Sequence, residues 1–149
     1  MRSACTALFD INVILDVLRR RQLFCDDSAA VMAAAEHGRL RGLVAAHSVT
    51  TLFYLLGKYG GGDQARVTTL ELLSVLEVAA VDGHVLEQAL ALPYRELEDA
   101  VQMAAARQAG ADYVVTRDRA GHAAGPLPAL SPAELLALLP DVEHPGVTP

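Results

Sequence analysis

Short apolar runs alternate with longer stretches of helical periodicity along this chain, the pattern of a parallel sheet covered by helices. Cys5 to Phe9 reads as a first strand and Asn12 to Arg21 as a helix. Asp26-Asp27-Ser28 offers a cap for a second helix through Glu36, stopped by Gly38. Gly42 to Ala46 predicts a brief strand, and Ser48 caps a helix to about Lys58 that Gly60-Gly61-Gly62 ends. A helix from Asp63 to about Leu76 leads to a third strand, Val78 to Val81. Asp82-Gly83 turns into a helix from His84 to Leu92, closed by Pro93; a further helix from Glu96 to Ala109 stops at Gly110. Tyr113 to Thr116 is the fourth strand, Leu127 to Leu130 a short edge strand, and Ser131-Pro132 starts a last helix with Pro in its first turn. The reading is one α/β domain over residues 1–140, with a loose, Pro-rich tail over 141–149.

A length of 149 residues suits a single domain with a sizeable core. With 52% hydrophobic but only 5% aromatic residues, that core is built mostly of Ala, Val and Leu. No apolar stretch is long and charge-free enough to span a bilayer, and Asp10 interrupts the first apolar segment too early for a signal peptide, so a cytoplasmic protein without a membrane partner is expected. Cys5 and Cys25 have no zinc-ligand spacing and read as small buried hydrophobes. A net charge of −6 argues against coating nucleic acid by bulk electrostatics, but not against meeting it at one local site.

Three aspartates stand where such a fold presents chemistry. Asp10 ends the run Ala7-Leu8-Phe9, Asp118 follows Tyr113-Val114-Val115-Thr116, and Asp99 lies in the first turn of a helix. Ligands of open parallel sheets bind beyond the carboxyl ends of the strands, so Asp10 and Asp118 project into that crevice. Clustered carboxylates repel one another, and a bound Mg²⁺ or Mn²⁺ removes the conflict, since hard cations prefer oxygen ligands. Such an ion polarises a phosphoryl group and activates water. Each residue also has a plainer use: Asp10 as a helix cap, Asp99 as a partner of the helix dipole, Asp118 as a turn residue.

Four segments in order resemble the PIN domain family, the nuclease fold of VapC toxins. They are Phe9-Asp10-Ile11-Asn12-Val13-Ile14-Leu15-Asp16, then His47-Ser48-Val49-Thr50-Thr51-Leu52-Phe53-Tyr54, Glu98-Asp99-Ala100-Val101-Gln102, and Gly110 through Asp118. The resemblance covers about residues 5 to 137 and implies a three-layer α/β/α sandwich with a parallel sheet of four or five strands. It also implies a Mg²⁺- or Mn²⁺-dependent endoribonuclease with Asp10, Asp99 and Asp118 as catalytic and metal-binding acids. Asn12 falls on the polar position that supports the first Asp, and Thr116 on the hydroxyl residue that precedes the last acid. A cognate antitoxin and a homodimer are the partners it implies. One departure stands out: the family's second block usually carries a Glu where Thr51 aligns here, although a subgroup of PIN-like sequences has a polar residue at this place. One metal rather than two is the expected consequence, with Glu98 as a candidate replacement.

Among the remaining residues, Asp16 shares a helix face with Asn12 and suits either the edge of the site or the solvated surface. Arg117 and Arg119 flank Asp118 and are candidates for substrate phosphates. Arg19-Arg20-Arg21 suits a solvated helix end or an RNA contact. His47, His84 and His122 show no ligand spacing and are not expected to bind metal. The stripe Leu52, Leu55, Leu56 reads as core or subunit contact. Two other functions stay open: a PIN-like domain that is weakly active or inactive and binds RNA or protein, and a Mg²⁺-dependent phosphohydrolase of small phosphate esters.

Overall fold

The computed structural model describes residues 5–19 and 25–140. Its elements are β1 (Thr6–Phe9), α1 (Ile11–Leu18), α2 (Cys25–Glu36), β2 (Arg41–Ala45), α3 (Ala46–Gly60), α4 (Gly62–Val75), β3 (Glu77–Ala79), α5 (Gly83–Ala91), α6 (Leu97–Gln108), β4 (Tyr113–Val115), β5 (Ala129–Leu130) and α7 (Pro132–Leu138). The sheet has the order β3-β2-β1-β4-β5, with every neighbouring pair parallel.

Strand periodicity divides the core into two layers. Ala7, Phe9, Val44 and Val115 face one side, where they meet Val13 and Ile14 of α1, Val31 of α2, Leu72 of α4 and Leu135 of α7. Leu8, Leu43, Ala45 and Val114 face the other, against Val85 and Ala89 of α5 and Val101, Met103 and Ala104 of α6. Small residues let α6 lie close to the sheet, as four of its buried positions are Ala. Gly42 is required for a similar reason. A Cβ there would stand 2.5 Å from Leu76 Cδ2 and 3.1 Å from Ala35 Cβ. Leu52 is fully buried and Leu55 packs on the same cluster, so these two residues of the α3 stripe belong to the core.

Strand order places the site. The chain steps outward from β1 through β2 to β3, then returns to lay β4 on the other side of β1. The reversal opens a crevice at the carboxyl ends of β1 and β4. The Asp10 N–H donates to the Val115 carbonyl at 2.9 Å, tying the two strand exits together.

Two expected caps differ. Ser48 caps nothing, because β2 runs straight into α3: Ala45 is the N-cap without a side-chain bond, and Ser48 is buried inside the first turn. Ser28 likewise lies within α2, its hydroxyl donating to Asp16 Oδ2 at 3.1 Å. Elsewhere the caps are as read: Asp82 accepts from the Val85 N–H, and Ser131 with Glu134 forms a reciprocal capping box. Arg20, Arg21 and the tail 141–149 lie outside the described residues. Among those described, no helix is long and apolar enough to cross a membrane.

Candidate metal centre

Asp10 is the N-cap of α1 and is almost wholly buried. Its Oδ1 accepts from the Asn12 backbone N–H at 3.3 Å, and its Oδ2 accepts from the Thr116 hydroxyl at 2.7 Å. Cap and buried anion are thus one role: the extended cap residue points its carboxylate along the strand axis into the crevice. Asn12 supports Asp10 through its main chain, and its own side chain is exposed. Thr116 has a double task, since its oxygen also accepts from the Asp118 N–H at 3.0 Å.

Asp99 sits in the first turn of α6, half-buried. Gln102 joins it to Asp10: its Nε2 donates to Asp99 Oδ1 at 3.3 Å and approaches Asp10 Oδ1 at 3.5 Å, while its Oε1 accepts from the Ile11 N–H at 3.3 Å. Gln102 is completely buried; sequence reasoning did not single it out, although its three-residue step from Asp99, on one helix face, could have found it.

The third group is His122, which sequence spacing set aside. It closes the 3₁₀ turn Ala120–His122 after β4, is buried, and brings Nε2 to 3.8 Å from Asp10 Oδ2. Ligating atoms of Asp10, Asp99 and His122 all lie within 4.8 Å of one another. The Tyr94 hydroxyl holds His122 Nδ1 at 2.9 Å, with the rings edge to face. Gly125 makes room for this contact, because a Cβ there would collide with the Tyr94 hydroxyl and Met103 Cε. No linear spacing announces a ligand that a turn delivers in this way.

The other expected residues do not join this group. Asp118 is exposed, and its Oδ1 accepts from the Gly121 N–H at 3.0 Å instead of joining the convergent atoms. Thr51 donates to the His47 carbonyl of its own helix at 3.4 Å. Glu98 is exposed, and its main-chain carbonyl accepts from His47 Nε2 at 3.2 Å, joining the N-termini of α3 and α6. Arg117 pairs with Asp16 at 2.9 Å, and Arg119 pairs with Glu134 at 2.9 Å, so both candidate phosphate contacts are engaged within the fold. Asp16 is neither at the site edge nor on the surface, being fully buried beneath Arg117 and Ser28.

The two central carboxyls differ in acidity. Burial pushes Asp10 up, but the neighbouring His122 ring, the Thr116 hydroxyl and the Asn12 N–H outweigh it and hold the carboxyl below its ordinary range. Burial raises Asp99, and the charge of Asp10 raises it further; Glu98 and Asp118 add to this, while His122 opposes it. Tyr94 is pushed up to about 12, mainly by burial and then by Asp99, and stays a neutral phenol. The donor set fits a divalent cation: two carboxylates left in mutual repulsion beside an imidazole are what such an ion reconciles.

Asp99→Asn is therefore expected to stabilise the metal-free protein at neutral pH. A carboxyl whose folded pKa is raised weakens the fold as pH climbs from the unfolded value through the folded one. Solvent screening at this half-exposed site keeps the gain to about 0.5 kcal/mol, or roughly 1–2 °C in Tm. Melting curves in chelator at pH 7 and pH 3 check it; a gain equally large at pH 3 would contradict the electrostatic account.

The PIN domain family profile matches residues 6–120. With the five-stranded parallel sheet and its helical layers, this establishes that the chain belongs to the PIN domain family. Solved structures with the same fold include VapBC2 of Rickettsia felis bound to a DNA fragment from its promoter (TM-score 0.68, 14% identity, 85% of this chain and 98% of that one). FitAcB of Neisseria gonorrhoeae is similar (0.66, 20%, 85% and 98%). So is VapC20 of Mycobacterium tuberculosis, described as a sarcin-ricin loop cleaving toxin (0.59, 16%, 93% and 99%). No curated protein matches the sequence.

Proposed function

We propose that this protein is a divalent-metal-dependent endoribonuclease, the toxin of a cytoplasmic toxin–antitoxin pair. The observation that carries this reading is the convergence of Asp10, Asp99 and His122 where β1 and β4 end. When bound, Mg²⁺ or Mn²⁺ would polarise the scissile phosphodiester and make the attacking water more acidic. Asp10 is the lasting anion of the site, since Thr116 and the Asn12 N–H stabilise its charge. Asp99 is the carboxylate placed to take a proton, because Gln102 holds only Oδ1 and leaves Oδ2 facing the crevice. Gln102 fixes the distance between the two. Asp118 completes an acidic rim that favours an incoming cation over a second anion.

The relatives' names support the biological setting. A toxin–antitoxin complex from Klebsiella pneumoniae and the toxin VapC20 share this fold, and an antitoxin that covers this crevice is the partner proposed here, with a homodimer as the assembly.

Incubation of the purified protein with a structured RNA, in Mn²⁺ or Mg²⁺ and in chelator, tests the reading. Internal cleavage that needs the metal, without turnover of a generic phosphomonoester, is expected. Metal binding without cleavage would instead identify a binding module, in keeping with the rim positions of Thr51 and Asp118. Phosphomonoester turnover would identify a different phosphohydrolase.

A further inference from the structure

We infer that His122 is a nitrogen ligand of the metal and biases the site toward Mn²⁺ and similar transition ions over Mg²⁺. The inference rests on the metal-dependent reading above and adds a ligand whose chemistry differs from the carboxylates.

Three observations carry it. First, His122 is buried in the crevice, and its Nε2 faces Asp10 Oδ2 at 3.8 Å, a separation longer than a direct hydrogen bond. Two ligands sharing one ion at about 2.1 Å each are typically separated by about 3–4 Å, and 3.8 Å lies in that interval. Second, the other ring nitrogen is already held. Tyr94 lies 2.9 Å from Nδ1; in the tautomer that carries its proton on Nδ1, the phenol oxygen accepts it and the Nε2 lone pair faces the carboxylates. A partner on the far nitrogen is the usual way a ligating imidazole is oriented. Third, the packing is specific to this arrangement: the absence of a side chain at Gly125 lets the turn descend onto Tyr94 and Met103.

The chemical consequence concerns selectivity. All-oxygen sites suit Mg²⁺ and Mn²⁺ alike, whereas an imidazole nitrogen favours first-row transition ions, Mn²⁺ least among them, over Mg²⁺. His122 supplies the third ligand atom beside Asp10 and Asp99, a group that Asp118 does not join, while Thr51 Oγ1 bonds the His47 carbonyl.

Pulsed electron paramagnetic resonance of the Mn²⁺-loaded protein tests this directly, by ¹⁴N coupling from a coordinated imidazole. The expected result is ¹⁴N coupling in the wild type that disappears in His122→Gln. Calorimetry should show Mn²⁺ affinity weakened about 10–100-fold in that variant, with Mg²⁺ affinity changed less than about threefold. Tyr94→Phe should keep the coupling and weaken Mn²⁺ about tenfold. Mn²⁺ bound with no ¹⁴N coupling, or with coupling that survives His122→Gln, would overturn the inference and leave the nuclease reading intact. No saturable Mn²⁺ in the wild type would overturn both. Because the wild-type spectrum alone can refute the proposal, misfolding of a variant does not shelter it.

Discussion

Asp10→Asn is expected to remove saturable Mn²⁺ binding and to lower RNA cleavage about a thousandfold. The estimate follows from the several kcal/mol of charge stabilisation a metal supplies at a phosphoryl centre; about 4 kcal/mol corresponds to roughly a thousandfold. Asp10 is the carboxylate on which the site converges: Thr116, Gln102, the Asn12 N–H and His122 all approach it. The variant should still fold, because an Asn carbonyl oxygen can accept from Thr116 and Asn is itself a favoured cap. Some stability is nonetheless lost, about 1–2 kcal/mol, since charge-assisted bonds become neutral ones. Asp10's folded pKa is depressed, so the wild type holds this contribution at neutral pH and loses it as pH falls through the carboxylate range. Single-turnover cleavage, calorimetry and a melting curve on the same preparation check the three parts. Cleavage within tenfold of wild type would refute the assignment of Asp10.

Arg117→Met carries the largest expected effect on stability. Asp16 is fully buried, and Arg117, a quarter exposed, is its ion-pair partner at 2.9 Å. Removing the guanidinium takes from this buried carboxylate the ion-pair partner that the described residues give it, at a cost of about 3 kcal/mol or roughly 10 °C in Tm. The pair also has a positional role, because Arg117 stands between Thr116, which holds Asp10, and Asp118. Anchoring Arg117 to α1 fixes the segment that leaves β4. Combining Arg117→Met with Asp16→Leu should recover much of the loss, as apolar replacement of a buried pair often does. Chemical denaturation of both single variants and the double measures the coupling; additive losses would mean the two side chains do not act as a pair.

How far the sequence carries depends on the range of the forces involved. The strands β1, β2 and β4 and the helices between them were legible because hydrophobic period and cap chemistry act over a few residues. β3 was displaced by one residue at its start, since Glu77 opens it with an exposed edge position that carries no apolar signal. Ser28 and Ser48 were misread as caps because a hydroxyl near a helix start looks the same whether it faces an N–H or the core. Asp16 was ambiguous because its Arg117 partner lies 101 positions away in the chain.

At the site the division is sharper. Asp10 and Asp118 announce themselves by following strands, and Asp99 by opening a helix, so the location of the candidate site is written locally. Which atoms meet is not. His122 reaches Asp10 across 112 positions, by way of a 3₁₀ turn, a missing Cβ at Gly125 and a hydroxyl on Tyr94. Arg117 and Arg119, read as phosphate contacts, are engaged by Asp16 and Glu134 through the packing of α1 and α7 on the sheet. By itself the sequence determined the α/β order, the family resemblance and the acids at the strand ends, because these rest on short-range periodicity and spacing. The tertiary structure alone decided that an imidazole joins two of those acids while the third turns to the rim, because long-range packing selects which side chains share a few ångströms of space.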